Sequence, residues 1–171
     1  MSIFWYPPKL DGAAAIDWAA ETRGEGPVFL WGYSMGGYAA AVLAGERPEV
    51  KGAAVVSAFE SPVEMMMAKA REKAGFLAEL ERPFLLLSEW VLFGGYADRH
   101  ASDELTDGEP LVLVIHGGAD TTVPEEMSLY RRMADGTGRN VMLLPEADHM
   151  GAVFPADTET VIRFFLECTE K

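Results

Sequence analysis

An apolar run from Pro27 to Trp31 leads into Gly32-Tyr33-Ser34-Met35-Gly36-Gly37, and a small-residue stretch from Tyr38 to Ala44 that reads as a helix follows it. No other stretch of the chain constrains the fold as much. A G-x-S-x-G sequence between a strand and a helix demands a turn so tight that the serine is lifted clear of the strand end. The glycines answer a steric need, because side chains at Gly32 and Gly36 are expected to collide with neighbouring backbone. Ser34 is therefore the candidate nucleophile.

A serine hydroxyl is a weak nucleophile at neutral pH, so it needs a base within hydrogen-bond reach and a third group to orient that base. Two further apolar runs supply candidates. Leu111 to Ile115 opens into His116-Gly117-Gly118-Ala119-Asp120, and Val141 to Leu144 opens into Pro145-Glu146-Ala147-Asp148-His149. His149 is the natural base, since an imidazole titrates near working pH. Asp120 is preferred to Asp148 as the orienting acid, because a residue adjacent to the histidine seldom reaches its neighbour's ring. His116 ends a strand and is expected to brace the loop carrying Asp120, and His100 is expected to be an exposed loop residue.

The chain order Ser34, Asp120, His149 is that of the α/β-hydrolases. Gly-Tyr-Ser-Met-Gly-Gly, the run Leu-Val-Ile-His-Gly-Gly-Ala-Asp-Thr-Thr-Val-Pro ending at Pro124, and Ala-Asp-His-Met-Gly ending at Gly151 resemble that superfamily. Within it they are most similar to the serine aminopeptidase and prolyl-oligopeptidase-like esterase branch, over about Leu10 to Phe165. The resemblance implies a hydrolase with a Ser34–His149–Asp120 triad.

The sequence departs from that family at its start. Family members carry several strands and a helix before the nucleophile strand, and a loop there supplies one oxyanion N–H, often within a His-Gly motif. Here 26 residues precede Pro27 and no His-Gly pair stands upstream of Ser34. The backbone N–H of Met35 is one expected oxyanion-hole donor, because it opens a helix directly after the nucleophile. The second donor has no evident source.

The fold class expected is α/β: an N-terminally shortened hydrolase of about four parallel strands flanked by helices, with a core at 10–59 and 108–171 and a helical, cap-like insertion at about 60–107. Helices are read at Asp11–Glu21, Met35–Gly45, Glu125–Ala134 and Asp157–Glu167, and strands at Val28–Trp31, Ala53–Ser57, Leu111–Ile115 and Val141–Leu144. Pro62 opens the insertion with a helix containing Met65, Met66 and Met67, which must face different sides. Met66 and Tyr33 are the candidate substrate-binding residues, Met66 as an adaptable wall and Tyr33 as acyl-pocket lining or simple packing.

In the family's strand order the nucleophile strand would lie on an open edge, which natural proteins cover. Either the segment Ser2 to Tyr6 or a second subunit is expected there, and a homodimer is the preferred solution. The aromatic lead Phe4-Trp5-Tyr6 is expected to pack over the site or into that interface.

The chain's 171 residues, 49% of them hydrophobic, fit one domain with a real core. A net charge of −13 without a basic cluster disfavours nucleic acid and anionic membranes, and neither is expected as a partner. The single Cys168 cannot form an internal disulfide. The start lacks a basic, apolar leader and no run is long enough to span a membrane, so a cytoplasmic protein is expected. No metal or cofactor pattern emerges, and Gly32 to Gly37 lacks the Gly-Lys-Ser/Thr end of a phosphate-binding loop. The expected activity is cleavage of short or medium acyl esters of small molecules. The alternative is a weakly active or inactive truncated scaffold serving as a subunit of an assembly.

Overall fold

Four β-rich runs form one parallel sheet in sequence order β1-β2-β3-β4. The structure is a computed structural model that describes residues 8–24, 26–93, 99–105, 111–134, 140–153 and 156–170. The strands are β1 (Val28–Tyr33), β2 (Val50–Val56), β3 (Leu111–Gly117) and β4 (Asn140–Leu144). The helices are α1 (Pro8–Arg23), α2 (Met35–Glu46), α3 (Pro62–Ala74), α4 (Arg82–Phe93), α5 (Ala101–Glu104), α6 (Leu129–Ala134) and α7 (Ala156–Thr169). The aromatic lead and the segment expected to cover the sheet edge lie outside the described residues.

The central strands hold the sheet because both of their faces are covered. Side chains alternate sides along a strand. Ala53, Val55, Val112 and Val114 pack on one face with Ile16 of α1, Ala40 and Leu43 of α2, and Leu129 and Met133 of α6. Ala54, Val56, Leu113 and Ile115 pack on the other with Val161, Phe164 and Cys168 of α7. Each fully buried aliphatic side chain contributes roughly 1.5–3 kcal/mol, so nearly continuous apolar strands are stable only in this two-sided setting. The outer strands are less covered, and Trp31 on β1 is 46% exposed.

One helix read from the sequence is broken. Glu125–Met127 forms a 3₁₀ turn and the α-helix begins only at Leu129, because Ser128 is extended and bridges antiparallel to Phe59. Ser128 Oγ donates to Glu125 O at 2.6 Å and accepts from Arg131 N at 3.1 Å, which closes one turn and caps the next. A tertiary pairing overrides the local helical pattern.

Between β2 and β3, the sequence Ser61-Pro62-Val63-Glu64 starts α3: Ser61 Oγ accepts from Glu64 N at 3.4 Å, with proline in the first turn. Val63, Met67 and Ala78 form a small separate core, backed by Leu85 and Leu86 of α4. Met65 instead joins the main core, and Met66 between them is half-buried. The opposite side of α4 is open: Phe84, Leu87, Trp90 and Val91 are all more than half exposed. His100, expected to be simply exposed, is half-buried, with Nδ1 3.3 Å from Glu60 Oε1. That carboxylate also accepts from Ser102 Oγ at 2.5 Å and so ties α5 to the start of α3.

Candidate active site

The nucleophile turn follows from close packing of backbone. Ser34 has φ 53° and ψ −116°, a strained conformation for a residue with a Cβ. Ser34 N donates to Val56 O at 2.8 Å, and Ser34 O accepts from Tyr38 N at 3.0 Å, which launches α2. A Cβ on Gly32 would stand 2.1 Å from Gly36 O, an impossible contact with backbone. The expectation for the second glycine is corrected: a Cβ on Gly36 would meet nothing within 4 Å. The other tight position is Gly37, where a Cβ would be 3.0 Å from the Ala58 Cβ and 3.2 Å from Val56 O. It is Gly37, rather than Gly36, that lets α2 lie against the end of β2.

Ser34, Asp120 and His149 come from the ends of β1, β3 and β4, and the structure brings them into one hydrogen-bonded line. His149 Nε2 is 3.1 Å from Ser34 Oγ, and His149 Nδ1 is 2.6 Å from Asp120 Oδ2. With the ring proton on Nδ1, Nε2 is free to accept from the serine. The Asp120 side chain is fully buried, and its Oδ1 accepts from Thr122 N at 2.8 Å and Val123 N at 2.9 Å. The carboxylate is thus fixed by its own loop before it meets the imidazole. Asp148, the rejected alternative, is exposed and its Oδ1 accepts from Gly151 N at 2.7 Å.

Met35 is the first residue of α2, so its N–H has no acceptor within the helix and stands beside the serine. Tyr33 lies against the base: the two rings are 4.9 Å apart, and Tyr33 Oη donates to His149 O at 3.0 Å. Burial raises the Tyr33 pKa, and the charges of Asp120 and Asp148 add to this, so the phenol keeps its proton. Met66 has one half-buried face on α3 between its two buried neighbours. His116 is fully buried and stacks on Tyr130 at 6.1 Å, and neither ring nitrogen makes a well-formed hydrogen bond. Burial lowers its pKa, with the Asp120 charge and the Val123 backbone opposing, so the ring packs as a neutral group.

Sequence reasoning missed Ser57. It follows β2 with φ 48°, is fully buried, and places Oγ 3.4 Å from His149 O. No residue-type pattern marks it. An open cleft of about 670 Å³ bordered by Arg23, Pro27 and Glu49 shares no residue with the triad. Among the described residues no cluster of His, Cys, Asp and Glu could hold a metal, and no helix is long and apolar enough to cross a membrane.

Solved structures share this arrangement of strands and helices. An esterase from Butyrivibrio proteoclasticus, Est1E, superposes with a TM-score of 0.65 at 20% identity, over 95% of this chain and 70% of its own. The Pyrococcus furiosus esterase Pf2001 gives 0.60 at 20% identity, over 95% of this chain and 62% of its own. The esterase domain of a Rhodothermus marinus protein gives 0.55 at 24% identity, over 84% of this chain and 60% of its own. The chain thus spans about three fifths of the length of two of these proteins. No curated protein matches it in sequence. The sequence profile of the prolyl oligopeptidase family matches residues 11–171. Nearly the whole chain is covered by that match, and the chain belongs to the prolyl oligopeptidase family, with the α/β-hydrolase fold.

Proposed function

We propose that the chain is a serine hydrolase that cleaves short or medium acyl esters of small molecules through Ser34, His149 and Asp120. The carrying observation is the unbroken line from Ser34 Oγ through His149 to the buried Asp120 carboxylate, at 3.1 and 2.6 Å. Membership of the prolyl oligopeptidase family and the likeness to esterases support the same reading.

Ser34 Oγ attacks the ester carbonyl carbon while its proton passes to His149 Nε2. The Met35 N–H donates to the oxyanion. The carbon–oxygen bond to the leaving group then breaks, and the alcohol departs with the proton from Nε2. A water attacks the acyl-enzyme, gives its proton to Nε2, and the acid leaves as that proton returns to Ser34. Asp120 holds the ring and stabilises the imidazolium without taking the proton. No metal or cofactor takes part in these steps.

The insertion at about 60–107 serves as the cap, with Met66 toward the acyl group. A cytoplasmic setting and a homodimer belong to the same proposal. The dimer is supported by the β1 edge, which has no neighbouring strand among the described residues, and by its exposed Trp31.

Ester hydrolysis across acyl chain lengths tests the reading. Wild type should turn over short and medium esters, and Asp120→Asn should lower kcat by about 10³–10⁴-fold with KM little changed. Equal slow rates in wild type, Ser34→Ala and Asp120→Asn would favour the inactive scaffold instead.

A further inference from the structure

We propose that Tyr33 and Ser57 are positioning residues whose hydroxyls together hold the backbone carbonyl of His149, fixing the imidazole between Ser34 and Asp120. The inference rests on the hydrolase reading above and assigns two residues to its machinery.

The need for such a hold comes from topology. Ser34 follows β1 and His149 follows β4, the two outer strands of a four-stranded sheet. With strands about 4.8 Å apart, the loop after β4 must cross roughly 14 Å of sheet end to bring its ring to the serine. On the β3 side it is tied by backbone: Gly118 N donates to Leu144 O at 2.8 Å and Ala119 N to Ala147 O at 3.0 Å. On the β1 and β2 side two side chains converge on one acceptor. Tyr33 Oη donates to His149 O at 3.0 Å, and Ser57 Oγ donates to the same oxygen at 3.4 Å. The Tyr33 ring also lies against the imidazole, and its single proton is shared with Met150 Sδ at 3.2 Å.

Ser57 argues for itself by its backbone. At φ 48° a glycine would sit without strain, yet a fully buried serine occupies the turn. Its backbone is already used, with N donating to Ile115 O at 2.8 Å. What the side chain adds is a hydroxyl, and that hydroxyl reaches the residue proposed as the base. Strain at a strand end beside reacting groups is the arrangement expected where geometry is held for chemistry.

The test is the rate at which a fluorophosphonate labels Ser34, followed by intact mass over a range of probe concentrations. In that reaction the Oγ–P bond forms, the P–F bond breaks, fluoride leaves with the electron pair, and the serine proton passes to His149 Nε2. Tyr33→Phe and Ser57→Gly should each lower the limiting rate about tenfold while leaving the half-saturating probe concentration unchanged. Because they share an acceptor, the double variant should lose more than the product of the two. Ser57→Gly also relieves the positive φ, so its urea midpoint should not fall, which separates lost positioning from lost folding. Limiting rates equal to wild type, or a change confined to the half-saturating concentration, would overturn the inference and return Tyr33 to the acyl pocket. No labelling of folded wild type would overturn the hydrolase reading and this inference with it.

Discussion

Ser34 departs from ordinary behaviour in its backbone, and His116 in its burial. The pH dependence of folding should reveal the second. His116 has a pKa below the free value of 6.5, chiefly through burial. Its contribution is complete above about pH 6.5, where the unfolded chain is also neutral. Below that the unfolded chain gains a proton first, so stability falls with pH until the folded value is passed. The urea midpoint should therefore be lower at pH 5.5 than at 7.5, and the drop should be smaller in His116→Phe. An unchanged drop would contradict the neutral, buried ring. Ser34, Asp120 and His149 were readable from sequence because each follows an apolar run, in a set order. Ser57 was not, since its φ 48° and its reach to His149 are products of how β2 and β4 end in space.

The turn between β1 and α2 is the element on which the site depends, and its glycines make a paired prediction. Gly32→Ala would drive a Cβ to 2.1 Å from Gly36 O, so it should cost several kcal/mol and abolish labelling of Ser34, as expected for strain in a packed turn. Gly36→Ala meets nothing within 4 Å and should change the urea midpoint by little more than a helix Gly→Ala exchange allows, about 1 kcal/mol in either direction. Equal losses in both would contradict the observed packing. A motif gives glycine positions without saying which backbone each one faces, so Gly37's contact with Ala58 and Val56 emerges only from the structure. The strands were legible for a simpler reason: short β-rich apolar runs mark strands buried on both faces, although β2 spans Val50–Val56 and so begins three residues before the Ala53–Ser57 run read from the sequence. The helix over Glu125–Ala134 was half legible, because the Phe59–Ser128 bridge that interrupts it joins segments far apart in the chain.

Across the whole molecule, charge and exposed apolar surface pull in opposite directions. A net charge of −13 opposes self-association, while β1 has no outer neighbouring strand among the described residues and Trp31 is half exposed. Light scattering should report twice the chain mass of 18.7 kDa, and Trp31→Lys should shift the equilibrium to monomer. If Leu87→Asp on α4 does so instead, the seam lies there, where Phe84, Leu87, Trp90 and Val91 are all more than half exposed. A monomer at all concentrations would contradict the dimer. The proposed chemistry requires that one serine be activated by the line running to Asp120. Its most direct measurement is the intact mass and peptide map after complete reaction with a fluorophosphonate. One adduct per chain is expected, on Ser34, absent from Ser34→Ala and from His149→Ala. A folded wild-type protein that stays unmodified, or carries the adduct elsewhere, would contradict it.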